Sequence, residues 1–123
     1  MAKKPVATPT TTAAAAAAAA KIPLINVPPG GTLEVSVDVG PMTIPYTIAY
    51  DGHTVIKSLV DRREAVPVQP GDRILAWAFA HASKGWSHKV EFSVNGGPLQ
   101  LLEQMSEAKK DADHSVGFAL VHM

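Results

Sequence analysis

After Ile22 the chain alternates between apolar and polar side chains with a period of two, the spacing that sends successive residues to opposite faces of a β-strand. Leu33, Val35, Val37 and Val39 take one face and Glu34, Ser36 and Asp38 the other, which predicts the clearest strand. Met42, Ile44, Tyr46, Ile48 and Tyr50 repeat the pattern, and Asp51-Gly52 then supplies a two-residue hairpin turn leading into a partner strand over His53–Val60. Pro45 cannot donate to a ladder, so its strand is expected at a sheet edge or at a bulge. A short run Ala65–Val68 follows, then the turn Gln69-Pro70-Gly71-Asp72 and a strand over Ile74–Ala82.

In that last strand Leu75, Trp77, Phe79 and His81 share one face, and Ile74, Ala76, Ala78, Ala80 and Ala82 the other. Two nearly apolar faces predict a central strand covered on both sides. Val90, Phe92 and Val94 form the next strand, closed by Asn95-Gly96-Gly97. Ser115–His122 supplies the final one, with Val116, Phe118, Leu120 and His122 on one side. Leu99–Ala112 is ambiguous: its Leu, Gln, Glu, Met, Ala and Lys favour a helix, whereas the preceding hairpin turn favours a strand to about Met105 and a solvated loop over Glu107–Asp113. The strand is the preferred reading. Eight or nine short strands with regular turns predict an all-β protein, a two-sheet antiparallel sandwich of jelly-roll or immunoglobulin-like type spanning residues 22–123.

Residues 1–21 break this pattern. They are almost entirely Pro, Thr and Ala, which predicts a low-complexity arm or flexible tether; Thr12 is placed to cap a short alanine helix that Pro23 would stop, but a helix of two turns is marginal on its own. The formal net charge of the 123-residue chain is zero, but the balance is uneven. Of the 11 basic residues three (Lys3, Lys4 and Lys21) lie in the arm, while all 11 acids follow it, so the arm carries +3 and the body −3. That balance speaks against a general nucleic-acid binder, which needs a basic excess on the domain. No stretch approaches the roughly 20 apolar residues of a membrane span. A secretory signal is also unexpected, because Pro5, Pro9 and Thr8, Thr10, Thr11 and Thr12 occupy the place of its apolar segment. With no cysteine the chain has neither disulfides nor thiolate metal sites, which suits a reducing compartment. A soluble protein, cytoplasmic or part of an assembled particle, is expected.

The candidate chemistry is sparse. His81 and His88 bracket the loop 82–87, and if their strands pair as a hairpin the imidazoles face each other, with Asp51 or His53 reaching over. Without cysteine or an HExxH helix this pattern does not define a metal centre, and neither metal nor cofactor is expected. His114 and His122 share strand parity but lie about 26 Å apart along an extended strand, too far to ligate one ion. In the same loop Trp86, flanked by Ser83, Lys84 and the two histidines, is the candidate platform for a glycan, with the lid of the core as its plainer role. Asp61-Arg62-Arg63-Glu64 reads as a solvated loop of ion pairs. No nucleophile elbow or phosphate-cradling loop is present. The expectation is a non-enzymatic structural or adaptor protein, forming a homo-oligomer or joining a larger assembly through the arm (Lys3, Lys4, Lys21) and the small-residue face (Ala80, Ala82). The alternative is a carbohydrate-binding, lectin-like module built on loop 81–88.

Overall fold

The computed structural model describes residues 22–123; the arm, with Lys3, Lys4, Lys21 and the expected alanine helix, lies outside them. Nine strands make up the fold: β1 (Leu24–Asn26), β2 (Leu33–Val39), β3 (Tyr46–Tyr50), β4 (His53–Ser58), β5 (Arg62–Val66), β6 (Asp72–His81), β7 (His88–Val94), β8 (Gln100–Met105) and β9 (Asp113–His122). They form a five-stranded sheet in the order β1-β9-β6-β3-β4 and a four-stranded sheet in the order β5-β2-β7-β8. The two sheets face each other across one core, a β-sandwich with no helix among the described residues. Every neighbouring pair is antiparallel except β1 and β9, which run parallel with Ile25 opposite Val121.

The core follows from the alternation. Leu33, Val35 and Val37 of β2 meet Tyr46, Ile48 and Tyr50 of β3 and Leu75, Trp77 and Phe79 of β6, all nearly closed to solvent. Asp51 and Gly52 both adopt positive φ (52° and 79°), the conformation that matches the twist of a tight hairpin, and they join β3 to β4 as the sequence predicts. The segment Leu99–Ala112 resolves as a strand followed by turns: β8 ends at Met105, and β9 begins at Asp113.

Four expectations need correction. Met42–Pro45 lies outside the ladder, because β3 begins at Tyr46; Pro41 and Pro45 have no N–H to give a neighbour. Accordingly β3 is an internal strand between β6 and β4, and its bulge falls between Ile48 and Ala49 rather than at Pro45. The charged segment 62–64 is not a loop but part of β5, paired along β2 from Leu33–Val66 to Val37–Arg62. Its Arg62–Glu64 and Arg63–Glu34 ion pairs decorate a sheet edge, where charge discourages pairing with foreign strands. Finally, β6 is central within its sheet but covered on one face only: Leu75, Trp77, Phe79 and His81 point into the core, while Ile74 is 45 % exposed and Ala78 is also exposed. On β9 the more apolar side turns outward at Val116 and Phe118, while Leu120 on that same side is buried, in register with Leu24 and Ile74, and Gly117, Ala119 and Val121 turn in.

Candidate functional site

Two features lie outside routine packing, a polar chain inside one end of the sandwich and an apolar outer sheet face. The polar chain starts at His81, the last residue of β6, and His88, the first of β7. These strands belong to different sheets, so the imidazoles meet across the sandwich and not across a hairpin. His81 Nε2 lies 2.8 Å from His88 Nδ1, and both residues are buried. His88 Nε2 faces Glu103 Oε1 of β8 at 3.2 Å, and the Ser115 hydroxyl of β9 donates to Glu103 Oε2 at 2.6 Å. Phe79 stacks on His88 with ring centroids 3.9 Å apart, and Tyr46 stacks in turn on Phe79. Asp51 and His53 take no part; Asp51 pairs with Arg73 at the opposite turn.

One assignment of protons satisfies this chain with both rings neutral. A proton on His88 Nε2 is donated to the Glu103 carboxylate, leaving Nδ1 to accept from His81 Nε2–H. His81 Nδ1 then has no hydrogen-bond partner, and the backbone group that acts on this ring is the Pro41 carbonyl, itself an acceptor. Burial, and next the neighbouring His88, hold the His81 imidazole below its ordinary pKa. For Glu103 burial works to raise the carboxyl, but the hydrogen bonds from His88 and Ser115 outweigh it and hold the group below the usual carboxylate range. The serine donates to the carboxylate, not to an imidazole, and the rings are closed to solvent. The geometry ties four strands from two sheets together and activates no nucleophile.

Loop 82–87 is laced to the segment after β8 by backbone bonds: Gly85 N–H donates to Ala108 C=O at 2.9 Å, Ala108 N–H to Trp86 C=O at 2.7 Å, and Ala112 N–H to Ala82 C=O at 2.9 Å. The Lys84 amide donates to Asp111, and its side chain is exposed. Trp86 and Ser83 are half-buried. The residues expected around a glycan therefore divide: Ser83, Lys84 and Trp86 lie at the surface loop, whereas His81 and His88 are spent on each other beneath it. Among the described residues no three His, Asp or Glu side chains converge as metal ligands, and no helix is long and apolar enough to cross a membrane.

The outer face of the five-stranded sheet is the second feature. Register places Phe118, Ala76 and Ala49 side by side on β9, β6 and β3, and Val116, Ala78 and Thr47 in the next row. The two β9 residues form a ridge, 75 % exposed at Val116 and 49 % at Phe118. The small residues beside them leave a shallow channel of about 340 Å³. Ile74 and Leu24 continue the apolar surface toward β1, and Ala80 extends it toward the other end; Ala82 has left the strand and belongs to the loop. No charged side chain interrupts the channel lining. The sequence reading singled out the alanines but missed Val116 and Phe118, whose alternation was visible while the direction they face was not. No known protein family, curated protein or solved structure matches this chain.

Proposed function

We propose that this is a non-enzymatic structural or adaptor protein that builds into an assembly through the outer face of its five-stranded sheet, with the N-terminal arm as a strap. The observation that carries the reading is the apolar ridge and channel, exposed side chains whose removal from water is worth about 25 cal/mol per Å². The buried state of His81 and His88 supports the non-catalytic part, since the chain's most chemically capable side chains are closed to any substrate. The +3 arm beside a −3 body favours contact between the arm and a neighbouring body.

Light scattering across a concentration series tests this. The full chain is expected to form a defined oligomer, and Val116→Lys/Phe118→Lys to run as a monomer with unchanged circular dichroism, because each lysine places a charge in the buried contact. A chain starting at Ile22 is expected to associate more weakly. A monomeric full chain, or an oligomer untouched by the lysines, rejects the reading.

A further inference from the structure

On the side away from β6, β9 is covered for only part of its length. It runs for ten residues, and among the described residues its neighbour there is β1, which pairs with residues 120–122 alone. On the outer side of β9, Leu120 is 5 % exposed where Leu24 of β1 lies beside it, whereas Phe118 and Val116 stand open just where β1 has stopped. Because β1 is parallel to β9, the chain that precedes it comes from the direction of those two residues. Continued from Leu24 opposite Leu120, the register puts Ile22 level with Phe118 and Ala20 level with Val116.

We infer that the chain's own N-terminal arm covers this part of the sheet, its alanine segment, residues 13–20, lying over Val116, Phe118 and the β6 alanines beside them. Pro23 explains why the arm does so without lengthening β1. Its C=O accepts from the Leu120 N–H at 2.9 Å, but it has no N–H for the next acceptor along the edge, the Phe118 C=O. The ladder ends there and the chain leaves the plane of the sheet. The inner side is filled, with Trp77 against Gly117 and Ser115 bonded to Glu103, which leaves the outer side.

Length, charge and tethering agree with this occupant. The open stretch, residues 113–119, is about 23 Å long at ~3.3 Å per residue, and the 21 residues of the arm reach past it whether extended or helical at ~1.5 Å each. Residues 13–20 carry no charge, and the polar groups of this face stand around the strip, not in it. His114 ends it, Asp72 and His122 pair beyond Leu120, and Lys57 lies on β4, two strands from β6. Alanines lose no side-chain entropy on docking. Joined directly to β1, the arm meets the strip at an effective concentration on the order of mM, ahead of any second molecule in dilute solution. The seat therefore needs no partner copy; it goes beyond the assembly reading, in which the seated arm becomes part of the face offered to a neighbour.

The absence of cysteine gives a clean test by paramagnetic broadening. A nitroxide on Ala16→Cys, in isotopically enriched full chain diluted until light scattering shows a monomer, is expected to erase the amide signals of Val116 and Phe118 and spare those of β2 and β5 in the other sheet. Adding Val116→Lys/Phe118→Lys is expected to restore the β9 signals, because the charges keep the arm off the strip. Mixing spin-labelled, unenriched chain with enriched chain that has no label is expected to leave every signal intact. Signals of β9 that survive in the labelled chain, or that stay erased in the lysine variant, where tethering alone is at work, overturn the seat. Erasure in the mixed sample overturns it too, by placing the arm on a second copy. Because the readout is taken on monomers, a protein that seats its arm but never assembles removes the assembly reading alone, and an assembling protein whose arm leaves β9 untouched removes this inference alone.

Discussion

Replacing Gly117 by alanine, and more so by valine, is expected to destabilise the sandwich even though neither residue is polar. Gly117 lies directly opposite Trp77 in the β6–β9 ladder and turns toward the core. A Cβ built on it would sit 2.6 Å from Trp77 Nε1, 2.7 Å from Cε2 and 2.8 Å from Cζ2, inside the closest approach that packed atoms tolerate. The indole lies across the glycine backbone, and it is 4 % exposed, held among the buried residues of both sheets. It cannot swing away without displacing them. Overpacking of this kind costs about 1–3 kcal/mol, partly offset for alanine by the ~0.5–1 kcal/mol that glycine loses in a strand. Each kcal/mol lowers the melting temperature of a domain this size by about 4–8 °C. Gly117→Val should exceed Gly117→Ala, and Trp77→Phe should reduce the cost of the alanine, because the two sites are in contact. Differential scanning calorimetry of wild type, Gly117→Ala, Gly117→Val, Trp77→Phe and Trp77→Phe/Gly117→Ala measures it; a Gly117→Val variant as stable as wild type would mean that the indole has another place to go.

The same pair of strands shows what the sequence could and could not reveal. Where one face of a strand is apolar and the other polar, as in β2, period-two alternation identified both the strand and its buried side. Asp51-Gly52 announced its turn because few other residues accept positive φ at both central positions. On β9 alternation was equally plain, yet its bulkier side faces out. The reason lies on β6: Trp77 occupies the space on the inner side, so β9 supplies Gly117 and Ala119 there, and its large residues turn away. Hydrophobicity along one strand does not encode the volume its neighbour has already filled. β1 and the charged start of β5 were missed for a related reason. Three residues between prolines, and a run of alternating charges, become strands only through partners far away in sequence, β9 and β2. The meeting of His81 and His88 was anticipated from their bracketing of one loop, although they come from different sheets; Glu103, which completes the chain, sits in a segment whose composition reads as helix and gave no signal.

That buried chain should make the protein acid-sensitive before its surface carboxylates begin to titrate. His81 is held below its ordinary pKa in the folded state, by burial first and by His88 second. In the unfolded chain the same imidazole takes up a proton as pH falls through about 6.5. Over that window the unfolded state binds more protons than the folded state, so stability rises with pH and is lost as pH falls. The contribution is complete above the unfolded value. Glu103 is also held low, with its loss beginning only as pH falls below about 4.3, so both groups act in the same direction and the histidine acts first. Urea unfolding at intervals from pH 8 to pH 5 should therefore give a flat plateau down to about 7 and a falling midpoint below about 6.5. Substituting His81→Phe, which keeps a ring in the core but removes the titrating group, should flatten the upper part of that fall. His88→Ala should do more harm at every pH, because it empties the space under Phe79, leaves His81 without its partner and leaves Glu103 with Ser115 as its remaining donor, a loss of about 3–5 kcal/mol. A wild-type midpoint constant from pH 8 to 5.5 would show that His81 takes up a proton as readily in the folded chain as in the unfolded one, so that its burial does not hold the imidazole neutral.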